Sequence, residues 1–317
     1  MELSKAFKGF VISRDDLSPT TIDIYTYAMN LMIDYLQDKP VEKITSQDLH
    51  LFFHYLRTEY QPKRMNQDTS PLSERSIENI WTAMRSFWNY ASEEFGVARV
   101  DHAIKRPRYT PRQIEIFTMD ECRRLLACAE RTRVAATNGR EAFTMRRPTA
   151  VRDRALITTL LDTGIRASEC ARLTLADVDL DAGEVFVQPF GTGRKTKSRT
   201  TYLGRAARKS IWRYLNQRSD SRKSDPLFLT IEDRPMNRNS IRLVFNELGD
   251  RAEIPHCHPH RCRHTFCYNY IKNGGDPFTL CKIAGFSLDM AMTYVHMCDL
   301  DAKAAHVDAS PVDTWRL

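Results

Sequence analysis

Apolar residues recur at helical spacing through most of the chain and only two short stretches alternate, which restricts the fold to a mainly α architecture with a small sheet. Ser18 and Pro19 supply a cap and a first-turn proline for a helix striped by Ile22, Tyr25, Met29, Met32 and Leu36. Thr45 caps a second helix with Leu49, Phe52, Phe53 and Leu56 on one face. After a polar loop over 61–70, a third begins near Ser73 and carries Ile77, Ile80, Trp81, Met84, Phe87 and Trp88, an aromatic face expected to be core. With 317 residues and 42% hydrophobic content, the chain is long enough for two such globular domains.

The boundary is expected where helix-forming pattern lapses. Residues 99–112 hold five Lys or Arg, two prolines and one acid, which suits a connector better than a helix. We therefore expect a helical domain over 1–106, a basic linker over 107–115 and a second, mostly helical domain over 116–317. In the latter, Thr118 opens a helix, a basic loop spans 131–148, and helix resumes at Arg152. Strands over 184–188 and 199–203 flank Gly191-Thr192-Gly193, giving a basic β-hairpin. Helices are expected over 206–217, 240–248, 258–272, 277–283 and 289–297.

The formal charge of +7 favours a polyanionic partner without proving one. Residues 1–10 carry two lysines but no apolar run of signal-peptide length, and no stretch approaches the roughly 20 apolar residues of a membrane span, so a cytoplasmic location is expected. The eight cysteines lack the spacing of a disulfide framework and read as reduced thiols.

Four clusters could carry chemistry. In Thr163-Gly164-Ile165-Arg166-Ala167-Ser168-Glu169, a glycine ends one helix just before Arg166, and Glu169 can brace Arg166 or a neighbouring histidine; an exposed ion pair is the plainer reading. In His258-Pro259-His260-Arg261-Cys262-Arg263-His264, a helix starting at Pro259 puts His260 and Arg263 on one face at its N-terminus, where an anion is already favoured. Cys257, His258, His260, Cys262 and His264 also suggest zinc, but no second ligand knuckle accompanies them. The hairpin turn holds Arg194, Lys195, Lys197 and Arg199, and can present a lysine as proton donor or be a solvated turn. Tyr294 falls in the last expected helix, where a lone tyrosine is usually core.

Taken in order, TGIRASE, the basic hairpin, HPHRCRHTF and a tyrosine thirty-one residues after Arg263 resemble the tyrosine recombinase or phage integrase family. The likeness covers nearly the whole chain, with stretches similar to mobile-element integrases and Xer recombinases. It implies a helical core-binding domain followed by a catalytic domain that cuts and rejoins double-stranded DNA. By it, Arg166 and Arg263 grip the scissile phosphate, His260 assists proton transfer, Glu169 supports the site, and Tyr294 attacks phosphorus to form a 3′-phosphotyrosyl link. No cofactor is required, because the covalent link conserves the phosphodiester energy. A C-terminal tail with Ala302, Ala304, Ala305 and Val307 resembles the family's exchanged helix and implies a tetramer on two DNA sites.

Two departures from the family pattern stand out. The usual Gly-Lys-Gly-x-Lys of the hairpin is missing, which leaves Lys195, with Lys197 as alternative, in the role of catalytic lysine. Phe286 stands where a phosphate-bonding histidine is usual, so either a hydrogen bond is lost or Phe286 packs beneath Tyr294; His296, two residues past Tyr294, points elsewhere. Two other readings remain: a protein of this fold that binds DNA without cutting it, and a zinc-dependent transcription factor.

Overall fold

A computed structural model describes residues 1–64, 68–110, 113–134, 143–189, 198–218, 222–298 and 310. The chain divides into two compact units, Met1–Arg112 and Gln113–Leu317.

The first unit is built from α1 (Leu3–Ser13), α2 (Pro19–Tyr35), α3 (Ser46–Thr58) and α4 (Glu74–Phe95). Side chains of Ser18, Thr45 and Ser73 accept backbone N–H bonds at the starts of α2, α3 and α4, satisfying groups the helix itself cannot. The anticipated stripes of α3 and α4 are buried, except that Trp81 is half-covered, its indole N–H donating to the Ile104 carbonyl at 3.0 Å. Helix α1 is an addition to the expected elements: Leu3, Ala6, Phe7 and Phe10 recur on one face and pack against α2 and α4.

The basic stretch read as a connector from Arg99 stays with this unit as far as Tyr109. Residues Val100–Ala103 form a 3-10 turn in which buried Asp101 pairs with Arg85 and Arg99. Ile104 and Pro107 are buried, Arg106 binds Glu78 at 2.5 Å, and Arg75 donates to the Tyr109 hydroxyl at 2.5 Å. Composition suggests a solvated segment, but Arg99 pairs within its own turn and Arg106 with Glu78 of α4, while Lys105 and Arg108 are exposed.

In the second unit, α5 (Met119–Glu130), α6 (Ala150–Thr163) and the four-residue α7 (Ala167–Cys170) precede a three-stranded antiparallel sheet. Its strands are β1 (Val178–Asp179), β2 (Glu184–Val187) and β3 (Arg199–Tyr202), with Glu184 opposite Tyr202 and Val187 opposite Arg199. Then follow α8 (Arg205–Leu215), α9 (Arg238–Ala252), α10 (Pro259–Lys272), α11 (Pro277–Ala284) and α12 (Leu288–Met297). Helix α6 is central, packing on α5, α8 and α10. The main core includes Leu156, Leu160, Ile165, Phe228 and Phe245, while α10, α11 and α12 enclose a separate cluster of Cys267, Ile271, Leu280, Ala284, Tyr294 and Cys298. Among the described residues, no helix is long and apolar enough to cross a membrane.

Candidate active site

Arg166 is placed by a glycine turn. Helix α6 ends at Gly164, whose φ of +61° is natural for glycine and strained for other residues. A Cβ there would also lie 2.3 Å from the Phe266 ring, so shape and conformation both demand glycine. The turn buries Ile165 and leaves Arg166 half-exposed at the start of α7. Glu169 accepts the Arg166 backbone N–H at 2.8 Å and its guanidinium at 3.0 Å.

Glu169 braces a second arginine that the sequence reading left in the hairpin. Arg199, the first residue of β3, donates to both Glu169 oxygens at 3.0 and 2.7 Å and through Nε to the Ile283 carbonyl at 2.8 Å. Glu169 thus holds two arginines, where sequence had left open a histidine partner. Burial alone would raise its carboxyl, but the Arg199 bonds and charge, with those of Arg166, outweigh it and hold the pKa at about 2. Arg199 also packs against Gly285, where an added Cβ would lie 3.0 Å from its Cδ and Nε.

Arg263 and His264 leave consecutive positions of α10. This helix starts at Pro259 with His258 as its cap. Arg263 is buried and donates to the carbonyls of Gly164 at 2.7 Å and Ala284 at 2.8 Å, tying the end of α6 to the end of α11. These bonds engage two of the five guanidinium N–H donors. Burial and the Arg166 charge lower its pKa to about 10, so it remains a cation at neutral pH. Neighbouring Arg261 instead pairs with Glu121 at 2.8 Å and lies 4.3 Å from the Phe117 ring centroid, joining α10 to α5.

Tyr294 is 1% exposed, and its hydroxyl lies 2.8 Å from His264 Nδ1. The His264 ring contacts that of His260 one turn earlier, with centroids 4.4 Å apart. Partial burial, followed by the Arg263 charge for His260 and the His260 ring for His264, lowers both pKa values to about 4. Both rings are therefore neutral at pH 7 and able to accept a proton. Burial raises the Tyr294 hydroxyl well above its ordinary value. Phe286 stacks on the Tyr294 ring at 6.0 Å and lies 5.1 Å from the Arg263 guanidinium, which is the packing alternative of the two expected. His296 is exposed.

Arg166, Glu169, His260, Arg263 and Tyr294 thus fall in one connected neighbourhood, to which the structure adds Arg199 and His264. Lys195 and Lys197 lie outside the described residues, as do Ala302, Ala304, Ala305 and Val307. Cys257 and Cys262 are built into the main apolar core, away from solvent. Among the described residues, no group of three or more His, Cys, Asp or Glu is placed to hold a metal ion.

A small sheet among helices, with clustered arginines beside a buried tyrosine, defines the class. The sequence profile of the phage integrase family matches residues 116–300, and that of the phage integrase N-terminal SAM-like domain matches residues 10–94. The chain belongs to the phage integrase family. It is 26% identical over 316 residues to tyrosine recombinase XerC of Oceanobacillus iheyensis, covering 96% of this chain and 94% of that one. It is 29% identical over 296 residues to tyrosine recombinase XerD of Bifidobacterium longum, covering 89% and 88%. Among solved structures, the Tn1549 transposon integrase in complex with a circular intermediate DNA matches with a TM-score of 0.73 at 18% identity, covering 98% of this chain and 99% of that one.

Proposed function

We propose that this protein is a site-specific DNA recombinase in which Tyr294 forms a covalent 3′-phosphotyrosyl link to DNA. One observation carries the reading: a single turn of α10 reaches the Gly164 turn beside Arg166 through Arg263 and the Tyr294 hydroxyl through His264. A nucleophile and a cluster of phosphate-binding cations are thereby joined by consecutive residues.

Around Glu169 stand Arg166 and Arg199, with Arg263 close enough for the Arg166 charge to lower its pKa. One carboxylate does not neutralise three guanidiniums, so the site favours an anion. A phosphodiester supplies it, and the added negative charge of a pentacoordinate phosphorus is held more strongly than the ground state. Arg166 and Arg263 take the nonbridging oxygens, His260 assists at the phosphate, and Glu169 with Arg199 fixes the Arg166 direction. Lys195, or Lys197, donates a proton to the departing 5′ oxygen. The hydroxyl of a partner strand then reverses the step, without nucleotide or metal.

The first unit serves as the core-binding domain and the basic chain near 107–115 as its linker, with two double-stranded DNA sites held by a tetramer through the C-terminal tail in the cytoplasm. The test is to incubate the purified protein with sheared DNA of its source genome, trap protein–DNA adducts and sequence them. A specific adduct is expected from the native chain and none from Tyr294→Phe, with DNA affinity retained. An adduct that persists in Tyr294→Phe overturns the assignment.

A further inference from the structure

Nothing in the proposal above assigns a role to His264, yet its Nδ1 lies 2.8 Å from the hydroxyl of the proposed nucleophile. We propose that His264 is the group that takes the proton from the Tyr294 hydroxyl as that oxygen attacks phosphorus. The inference deepens the reading of Tyr294 as nucleophile and rests on it.

The geometry is direct. Tyr294 lies on α12 and His264 on α10, two helices that pack together around the small apolar cluster. In its neutral form with the proton on Nε2, the imidazole offers Nδ1 as acceptor to the phenol O–H at 2.8 Å. Burial makes the phenol costly to ionise, so its proton needs a built acceptor. Cys267, the other polar group beside the hydroxyl, is a buried thiol whose own pKa is pushed up to about 11, which makes it a protonated neighbour.

The groups facing His264 also keep it in the accepting form. On its own helix are His260, His258 and Arg263; from α12 comes Tyr294. The Arg263 charge and the partial burial both disfavour imidazolium, so the ring waits unprotonated at neutral pH. When the phosphate enters, its negative charge offsets that of Arg263 and makes proton uptake easier as the reaction begins.

The step balances as follows. Tyr294 Oη bonds to phosphorus, its proton passes to His264 Nδ1, and the bond from phosphorus to the 5′ oxygen breaks. That oxygen receives a proton from the ammonium of Lys195 or Lys197, as in the proposed function. In the rejoining step the 5′ hydroxyl attacks as its proton returns to the lysine amine, the bond from phosphorus to Tyr294 Oη breaks, and His264 returns its proton to the departing phenolate. His260, in ring contact with His264 and less covered, remains free to act on the phosphate side.

His264→Gln tests this, because the amide keeps a hydrogen-bond acceptor but takes up no proton. Single-turnover adduct formation is measured on a nicked duplex carrying the site recovered by adduct sequencing, with thermal midpoint and DNA affinity measured on the same preparations. Loss of a general base typically costs about 10²–10⁴ in rate. We expect cleavage slowed by about 100-fold or more, unchanged affinity, and a rate that climbs tenfold per pH unit above neutrality where the native profile is flat. A bridging 5′ sulfur, which needs no proton to leave, should not rescue the variant.

Cleavage at the native rate overturns the proposal. Faster cleavage overturns it by showing that His264 holds the tyrosine back, and slow cleavage with a flat pH profile or full rescue by sulfur overturns it by assigning the loss elsewhere. Tyr294→Phe runs alongside. If that variant still forms the adduct, the nucleophile assignment fails; if it does not while His264→Gln is normal, only the role of His264 fails.

Discussion

Replacing Arg199 with Gln removes the partner that keeps a buried carboxylate charged. Glu169 is 4% exposed, and its carboxyl sits at about 2 instead of its ordinary 4.5. At about 1.4 kcal/mol for each pH unit, that depression corresponds to roughly 3 kcal/mol of stability at neutral pH. Because the folded value lies below the unfolded one, this stability is present above about pH 4.5 and is lost as the pH falls towards 2. Arg199 provides the largest favourable part, and without it burial dominates and pushes Glu169 upward. Arg199→Gln should therefore lower the stability of the second unit by about 3 kcal/mol at pH 7, in line with breaking a buried pair. In a unit of about 200 residues that is roughly 6–12 °C in thermal midpoint. Calorimetry of the full chain from neutral pH to about pH 4 should show the deficit shrinking, because the variant protonates Glu169 first. Adding Glu169→Gln should restore part of the loss at pH 7. A deficit of equal size at both ends of that range, or a double variant no more stable than the single one, would refute the account.

Other expectations follow from the same neighbourhood. Arg166→Ala should slow single-turnover cleavage by roughly 10²–10³ with little change in midpoint, since its side chain is 39% exposed. Arg263→Lys should lose a comparable factor in rate and also destabilise the second unit by about 1–3 kcal/mol, because two carbonyl bonds depend on the guanidinium fork. Phe286→His should lower the midpoint and cleave no faster than the native chain; faster adduct formation would show that this position needs a donor. Affinity for duplex DNA should fall steeply as salt rises, and a flat dependence on ionic strength would exclude extensive phosphate contact.

The fold was legible where its causes are local. Capping side chains at Ser18, Thr45, Ser73 and Thr118 mark helix starts within a residue, and the anticipated stripes of α3 and α4 became core. Helix α1 carried an equally clear pattern in Leu3, Ala6, Phe7 and Phe10, but those residues had been weighed only as a targeting segment. Elements of two to four residues, β1 and α7, are too short to show a period and are held by their neighbours. In the candidate site, motif spacing singles out Arg166, Glu169, His260, Arg263 and Tyr294, which the structure brings into one neighbourhood, whereas in the sequence Arg199 and His264 look like one more hairpin cation and one more helix histidine. What distinguishes them is contact across the chain, from β3 to α7 and from α10 to α12. A signal was nevertheless present, since Arg199 closely follows the basic run of Arg194, Lys195 and Lys197 and His264 directly follows Arg263.

The division of the apolar core bears on how such a site can work. For the proposed attack, the cluster of α10, α11 and α12 has to open far enough to admit a phosphate to the buried Tyr294 hydroxyl while His264 stays beside it. Among the described residues that cluster has six buried members and is separate from the core around α6, so loosening α12 would leave the main packing intact. Arg166 and Glu169 belong to the turn after α6, on the side that does not need to move. Arg263 and Arg199 span the two regions, each through a carbonyl at the end of α11, Ala284 for one and Ile283 for the other. The cations are therefore tied to the main core while gripping the last turn before the tyrosine helix, and in the proposed reaction a phosphate that competes for their N–H donors weakens that grip. Phe286, stacked between Arg263 and Tyr294, sits where such a change would be felt first. On the proposed function, anion binding and opening of the cluster around Tyr294 are thus coupled through the same guanidiniums, with His264 kept beside the hydroxyl, which favours access to Tyr294 only when there is a phosphate for it to attack.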